Sequence, residues 1–121
     1  MEIRFTADHE WLAIDGDTAQ VGITDHAQSL LGDLVFVELP SVGREVAKGS
    51  TVATVESVKA ASDVYAPLTG TIVEANSLVT HDPSVVNSDP MGAGWLFRIR
   101  FSDPSELSQL LTETDYQRLA Q

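Results

Sequence analysis

The chain has 121 residues, 43 % of them apolar and 21 % charged, which predicts one globular domain over residues 1–121 and excludes a disordered chain. Because it contains no cysteine, it has no disulfide, zinc–thiolate site, iron–sulfur cluster or thiol nucleophile. Asp and Glu number 18 against 7 Lys and Arg, and the net charge of −11 disfavours nucleic acid and anionic membranes as partners.

Membrane insertion and export are not predicted. No uninterrupted apolar run exceeds four residues, far short of the ~20 that span a bilayer. The first residues, Met-Glu-Ile-Arg-Phe-Thr, resemble neither a secretory signal nor a transit peptide. We therefore expect a cytoplasmic protein, or the mature form of an organellar one.

The first third of the chain predicts a hairpin, a helix and a strand. Residues 11–14 and 18–23 read as strands joined at Asp15-Gly16, a dipeptide typical of tight hairpin turns. Residues 24–31 predict a short helix, because a threonine is a favourable N-cap and a glycine follows the last residue. Residues 33–39 predict a buried strand that ends at a proline.

The middle of the chain predicts short strands separated by turn residues, which is typical of a small sandwich or flattened barrel. The expected strands cover residues 44–47, 51–56, 62–65, 71–75 and 95–101. Residues 80–94 are rich in Asp, Pro, Ser, Asn and Gly, so we expect an irregular surface loop there.

The last residues predict a helical extension over about 103–121. Asp103, Pro104 and Glu106 provide an N-cap, a proline at the first helical position and a capping-box glutamate. Thr112 predicts the start of a second helix.

Common catalytic and metal-binding motifs are not found. His9, His26 and His81 are too far apart to match a known ligand spacing, so no metal site is predicted. The chain has no Gly-x-Ser-x-Gly elbow, and residues 91–94 lack the lysine of a phosphate-binding loop. These absences make an enzyme the less favoured class.

One lysine occupies an informative position. Lys59 lies among small residues between two predicted strands, and Lys48 is the only other lysine. A long amine side chain at a strand reversal is accessible to a modifying enzyme. From the residues alone, an ordinary solvated lysine at a hairpin is the favoured interpretation.

Five segments, in order along the chain, resemble the H protein family of the glycine cleavage system. The central one surrounds Lys59 and looks like the lipoyl-lysine hairpin of that family. The segments are Phe5-Thr6-Ala7-Asp8-His9-Glu10-Trp11-Leu12, Val21-Gly22-Ile23-Thr24-Asp25-His26-Ala27-Gln28, residues 32–40, Glu56-Ser57-Val58-Lys59-Ala60-Ala61-Ser62-Asp63 with residues 66–70, and Asn87-Ser88-Asp89-Pro90 with residues 94–96.

This resemblance implies a mostly β fold: a lipoyl/biotinyl-type flattened β-sandwich (barrel-sandwich hybrid) with a short helix in the N-terminal half and a C-terminal helical tail. It further implies lipoic acid attached covalently to Lys59 through an amide at N6. The chain would be a non-catalytic carrier and is expected to be a monomer.

The resemblance also implies partners. The carrier would take the aminomethyl group of glycine from the glycine decarboxylase (P protein) to the tetrahydrofolate-dependent aminomethyltransferase (T protein). It would then present the reduced arm to dihydrolipoyl dehydrogenase (L protein). Lipoylating enzymes are further expected partners.

Candidate site residues follow from positions that match the family's motifs. The resemblance implies a cleft for the loaded arm, in which a carboxylate pairs with the amine and apolar groups exclude water. The cleft residues are Asp8, Glu10, Ile23, Ala27, Leu31, Ala60 and Asp63, and those tied to recognition by the lipoylating enzyme are Glu56 and Gly70. Core packing is the alternative for Ile23, Ala27 and Leu31, and a turn glycine is the alternative for Gly70.

Three other assignments remain open at this point. A lipoyl domain or lipoate-relay protein serving a 2-oxoacid dehydrogenase would also carry a modified lysine, although such domains usually present Asp-Lys-Ala. A biotinyl carrier would usually present Met-Lys-Met, unlike Val58-Lys59-Ala60. An unmodified β-sandwich interaction module belongs to a different class, and lipoate ligase would leave it unchanged.

Overall fold

The computed structural model describes residues 2–120, which form nine strands and several short helices. The strands are β1 Glu2–Phe5, β2 Glu10–Asp15, β3 Thr18–Ile23, β4 Leu34–Glu38, β5 Glu45–Val46, β6 Thr51–Ser57, β7 Ala61–Tyr65, β8 Gly70–Ala75 and β9 Phe97–Phe101. The helices are α1 Asp25–Leu31, α2 Ser77–His81, α3 Ser84–Ser88, a 3-10 helix Pro104–Gln109 and α4 Glu113–Ala120.

The strands form two antiparallel sheets that share one hydrophobic core. The larger sheet has the order β1-β2-β3-β9-β8-β5, and the smaller has the order β4-β6-β7. Alternate residues of both sheets point inward, so Val21 and Ile99 of one sheet pack in the same core as Val55 and Val64 of the other. The two sheets stay separate, which confirms the predicted flattened β-sandwich.

The N-terminal half follows the predicted local signals. Gly16 adopts φ 63° in the turn between β2 and β3, a left-handed conformation that favours glycine. Thr24 is the N-cap of α1, and its side-chain oxygen accepts a hydrogen bond from the Ala27 amide at 3.2 Å. Gly32 follows the helix at φ 83°.

The prediction that residues 33–39 form a fully buried strand is wrong. Within β4 only Leu34 and Val37 are buried, while Val35 and Phe36 are exposed. The pairing of β4 with β6 shifts register between Leu34 and Phe36, and this bulge breaks the inward–outward alternation. A continuous apolar run therefore leaves an aromatic ring on the surface.

The prediction of an irregular loop over residues 80–94 is also wrong, because part of it is helical. The Asn76 side chain accepts a hydrogen bond from the Leu78 amide at 3.2 Å and caps α2. Val79 of α2 and Val86 of α3 are both fully buried. Burial of these valines supplies the stability that the local composition lacks.

The C-terminal tail is helical as predicted, with one difference. Glu106 does not complete a capping box; its carboxylate accepts hydrogen bonds from the amide and hydroxyl of Thr69, both at 2.8 Å. This pair fastens the 3-10 helix to the residue that precedes β8. The Thr112 hydroxyl accepts from the Asp115 amide at 3.2 Å and caps α4 as predicted. Gln121, the last residue of the predicted extension, lies outside the described residues.

None of the helices within residues 2–120 combines the length and the apolar character needed to cross a bilayer.

Candidate functional site

Lys59 lies at the tip of the hairpin formed by β6 and β7. Ser57 closes the turn, since its amide donates to the Ala60 carbonyl at 2.7 Å and its hydroxyl accepts from the Ala60 amide at 3.1 Å. Val58, the residue before the lysine, is 90 % exposed. The tip is therefore a rigid three-residue projection that presents the lysine to solvent.

The Lys59 side chain extends over the end of α1. A Cβ built on Gly32 would lie 3.4 Å from Lys59 Cε and 3.8 Å from Nζ, so the glycine leaves room for the amine-bearing chain. Within residues 2–120 the ammonium has no carboxylate partner within ion-pair distance. A surface groove beside it is lined by Leu31, Asp33 and Val58. The amine is therefore exposed and forms no ion pair within the described residues.

Glu10 is a buried carboxyl, with only 2 % of the residue exposed. Its two oxygens accept hydrogen bonds from the Thr6 hydroxyl at 3.1 Å and from the Tyr65 amide at 2.7 Å. Burial raises the pKa of Glu10 to about 7, since it disfavours the charged form; the hydrogen bonds lower the pKa and nearby Asp8 raises it further. The carboxyl thus changes its charge near neutral pH.

A cavity of about 200 Å³ borders Glu10. Asp8, Lys48 and Tyr65 are among the residues that line it, and the neighbouring strand places Ile23 directly opposite Glu10 in the β2–β3 pairing. The carboxyl therefore has apolar packing on one strand and an open recess beside it. The recess is large enough for a small group, and its charged lining consists of Asp8, Glu10 and Lys48.

Two elements connect the lysine to Glu10. Helix α1 begins beside the Glu10 segment, where the Thr24 amide donates to the His9 carbonyl at 3.0 Å, and ends at Gly32 under Lys59. Its seven residues cover ~10 Å at 1.5 Å each. Strand β7 runs from the hairpin tip to Tyr65, a rise of ~13 Å from Ala61. The lysine and the carboxyl therefore mark the two ends of one elongated site.

The remaining predicted cleft residues differ in exposure. Ile23 is 4 % exposed and belongs to the core, so packing alone accounts for it. Ala27 and Leu31 are half-buried on α1 and pack against that core while keeping part of their surface free. Ala60 and Asp63 are exposed, at the tip and on β7 respectively. Contact of these residues with an attached arm stays a prediction.

Gly70 has a clear packing requirement. A Cβ at this position would lie 2.1 Å from the backbone oxygen of Arg100 on the paired strand β9, a separation that no side chain tolerates. Gly70 follows the end of β7 that is remote from Lys59, so it does not share the hairpin tip with Glu56. The predicted role of Gly70 in recognition by the lipoylating enzyme stays a prediction.

The outer face of the small sheet carries an unpredicted surface. Cross-strand pairing places Phe36, Glu56 and Ala61 in one row and Glu38, Thr54 and Asp63 in the next, and paired residues share a face. The three carboxylates make no ion pair within the part of the chain that the structure describes. We call these six residues the acidic face.

Sequence reasoning missed several residues that build the site. Gly32 was expected only to end a helix, and Thr6 was not singled out, although it holds the Glu10 carboxyl. His9 and His26 lie together, with ring centroids 4.7 Å apart, but no group of three possible metal ligands exists within residues 2–120. The Gly32–Lys59 and His9–His26 contacts join residues that are distant in the chain, so local patterns carry no signal for them.

A small two-sheet β-sandwich that displays an accessible lysine at a rigid hairpin tip has the architecture of a lipoyl or biotinyl carrier. Residues 3–121 match the family model described as glycine cleavage H-protein.

Relatives of known identity agree over most of the chain. The glycine cleavage system H protein of Bradyrhizobium diazoefficiens is 57 % identical over 112 residues, covering 93 % of this chain and 92 % of that protein. The corresponding protein of Acidiphilium cryptum is 58 % identical over 116 residues, covering 96 % and 94 %. A crystal structure of the glycine cleavage system H protein from Mycobacterium marinum superposes with a TM-score of 0.85 at 41 % identity, covering 97 % and 94 %. The chain belongs to the glycine cleavage H-protein family, whose members are lipoate carriers.

Proposed function

We propose that this chain is a non-catalytic carrier that bears lipoic acid in amide linkage on Lys59. The observation that carries the proposal is the placement of Lys59: it is exposed, it is held at a rigid hairpin tip, and it lacks an ion-pair partner within residues 2–120. Small neighbours on one side, Ala60 and Ala61, leave room for an acylating enzyme. These residues fit the group.

The attached group supplies the disulfide and dithiol chemistry that a chain without cysteine lacks. The chain itself supplies position. Acylation removes the positive charge of Lys59, so the formal net charge changes from −11 to −11 − 1 = −12. A tether also keeps the cargo at high local concentration near each partner enzyme that docks.

Glu10 is the proposed partner of the cargo amine. An alkylammonium in the neighbouring cavity favours the carboxylate form, so docking of the cation lowers the raised pKa of Glu10 and produces a charge-assisted hydrogen bond. Ile23, Ala27 and Leu31 do not line this cavity; they form the proposed apolar wall that excludes water along the arm between Lys59 and Glu10. Asp8, Ala60 and Asp63 complete the predicted cleft between the hairpin and Glu10.

The proposed cargo is the aminomethyl group of glycine, carried from glycine decarboxylase to the tetrahydrofolate-dependent aminomethyltransferase. Dihydrolipoyl dehydrogenase is the third proposed enzyme partner. The acidic face lies next to Lys59 and would steer encounters with basic patches on these enzymes. Phe36, which is 47 % exposed on the edge strand β4, offers an apolar contact to each of them.

Glu56 is the proposed recognition residue for the lipoylating enzyme. It lies on the acidic face, three positions before Lys59, where an enzyme that binds the hairpin would contact it. Gly70 contributes to the same recognition indirectly, by allowing β8 to approach β9 closely.

The first test is enzymatic lipoylation followed by intact mass measurement. Purified chain is incubated with lipoate ligase, ATP and lipoate, together with the variants Lys59→Ala and Lys48→Ala. We expect one lipoyl increment on the parent chain and on Lys48→Ala, and none on Lys59→Ala. Lys48→Ala is the matched control because it removes the only other lysine. An unmodified parent chain would instead support an interaction module.

The second test addresses the pathway. Lipoylated chain is combined with glycine decarboxylase, and exchange of labelled bicarbonate into glycine is followed. We expect exchange that saturates with carrier concentration and is lost with Lys59→Ala. A lipoylated chain that supports no exchange, but is acylated by a 2-oxoacid dehydrogenase, would overturn the assignment to glycine cleavage.

A further inference from the structure

A tyrosine of the C-terminal helix joins the two segments that build the Glu10 end of the site. The Tyr116 hydroxyl lies 2.8 Å from Nδ1 of His9 and 2.7 Å from Oγ1 of Thr24. The three polar groups form a continuous hydrogen-bonded chain from helix α4 to the turn before β2 and to the start of α1. Tyr116 is 6 % exposed and Thr24 is 2 % exposed, so the bond between these two is shielded from water, while His9 is half-buried.

His9 needs such support because its backbone is strained. It is the one non-glycine residue in the described part of the chain with positive φ, 64°, and it directly precedes Glu10. Its carbonyl accepts from the Thr24 amide at 3.0 Å. The orientation of His9 therefore influences both the direction in which Glu10 enters β2 and the position of the first turn of α1.

The protonation of His9 agrees with this arrangement. Burial lowers the pKa of His9, His26 lowers it further, and Asp8 opposes the shift. The ring is therefore neutral at pH 7, and its Nδ1 forms one hydrogen bond with the tyrosine hydroxyl.

The C-terminal tail holds Tyr116 rigidly. Its ring stacks on Phe5 with centroids 4.7 Å apart and an interplanar angle of 9°. The Leu111 amide and carbonyl exchange hydrogen bonds with Phe5 at 2.7 and 2.9 Å. The hydroxyl thus projects from a fixed ring into the gap between His9 and Thr24.

We propose that Tyr116 is a positioning residue for the arm cleft: its hydroxyl fixes His9 and Thr24, and through them the Glu10 carboxyl and helix α1. This inference rests on the proposed function, because it takes Glu10 as the partner of the cargo amine. It assigns to the C-terminal helix, remote from the hairpin tip, a role in protecting the cargo from water.

The test uses Tyr116→Phe, which removes only the hydroxyl and keeps the stack on Phe5. We expect the lipoylated, aminomethyl-loaded variant to lose its cargo to hydrolysis about fivefold faster, the factor expected for one net hydrogen bond. Lipoylation of Lys59 should proceed at the parent rate. In the unmodified chain, NMR should show shifted amide signals for His9, Glu10 and Ala27, and an altered titration of the Glu10 carboxyl.

Thr112→Ala is the matched control for stability. It removes the N-cap of α4 and destabilises the same helix while the Tyr116 hydroxyl stays in place. We expect this variant to keep the parent rate of cargo loss at a temperature where both variants are folded. If cargo hydrolysis is accelerated equally in Thr112→Ala and Tyr116→Phe, the positioning role is overturned, because destabilisation of helix α4 would then explain both results.

Glu10→Gln separates this inference from the function on which it rests. If Glu10→Gln hydrolyses its cargo at the parent rate, the proposed amine–carboxyl contact itself is wrong. The other outcome concerns Tyr116 alone. If Glu10→Gln hydrolyses its cargo faster than the parent, but Tyr116→Phe has the parent's hydrolysis rate and the parent's NMR signals, only the positioning role is refuted. We expect the double variant to lose cargo no faster than Glu10→Gln alone.

Discussion

The buried carboxyl of Glu10 should make the stability of the protein depend on pH. Its pKa is raised from 4.5 to about 7 on folding, so the folded state binds this proton more tightly than the unfolded chain does. The stabilising contribution is therefore complete below pH 4.5 and is lost as the pH rises to about 7. At ~1.36 kcal/mol per pH unit, the loss amounts to about 3 kcal/mol.

Glu10→Gln removes this titration with little change in shape. The amide oxygen can accept from the Tyr65 amide, and the amide nitrogen can donate to the Thr6 hydroxyl, so both present contacts keep a partner. We expect the variant to gain stability relative to the parent as the pH rises, by about 3 kcal/mol between pH 4.5 and pH 8. The lowered pKa of His9 affects the pH dependence of the unfolding free energy equally in the parent and in the variant. Its effect therefore cancels when the two free energies are subtracted.

Urea unfolding at a series of pH values measures this difference directly. Glu38→Gln is the matched control, because it removes the same formal charge from an exposed position on the acidic face. A difference between Glu10→Gln and the parent that stays constant within ~0.5 kcal/mol from pH 4.5 to pH 8 would refute the reasoning. If Glu10→Gln is more stable than the parent but hydrolyses its cargo faster, Glu10 is kept for function at a cost in stability.

Two further predictions follow from packing. Gly70→Ala should destabilise the fold by at least ~2 kcal/mol, because its Cβ would meet the Arg100 carbonyl oxygen at 2.1 Å; thermal unfolding of the variant and the parent measures the loss. Phe36→Ser should change stability by less than ~1 kcal/mol, since the ring is 47 % exposed, yet raise the carrier concentration that half-saturates glycine decarboxylase. An unchanged half-saturation would show that Phe36 does not contact that enzyme.

Local signals in the sequence were reliable where short-range geometry decides the structure. The Asp15-Gly16 turn and the caps at Thr24, Asp103 and Thr112 all form as predicted. Each depends on a side chain or a glycine acting within three residues of itself, so the pattern contains the whole cause. The resemblance to the H protein family then supplied the fold class, which the two sheets confirm.

Local signals failed where distant packing decides the outcome. The helices at residues 77–88 form because Val79 and Val86 reach the core, which no local pattern shows. Phe36 faces outward because of a bulge in the pairing of β4 with β6. Glu106 bonds to Thr69, 37 residues away in the chain, instead of to its own helix.

The sequence by itself predicted most of the strands and caps, because these depend on residue type and short-range spacing. Its resemblance to a known family implied the class of protein and the candidate carrier lysine. Only the tertiary structure decided the environment of Glu10 and the link from Tyr116 to His9 and Thr24. These features join residues up to 107 positions apart. Burial, and with it the raised pKa of a carboxyl, exists only after the sheets and the C-terminal helix have packed together.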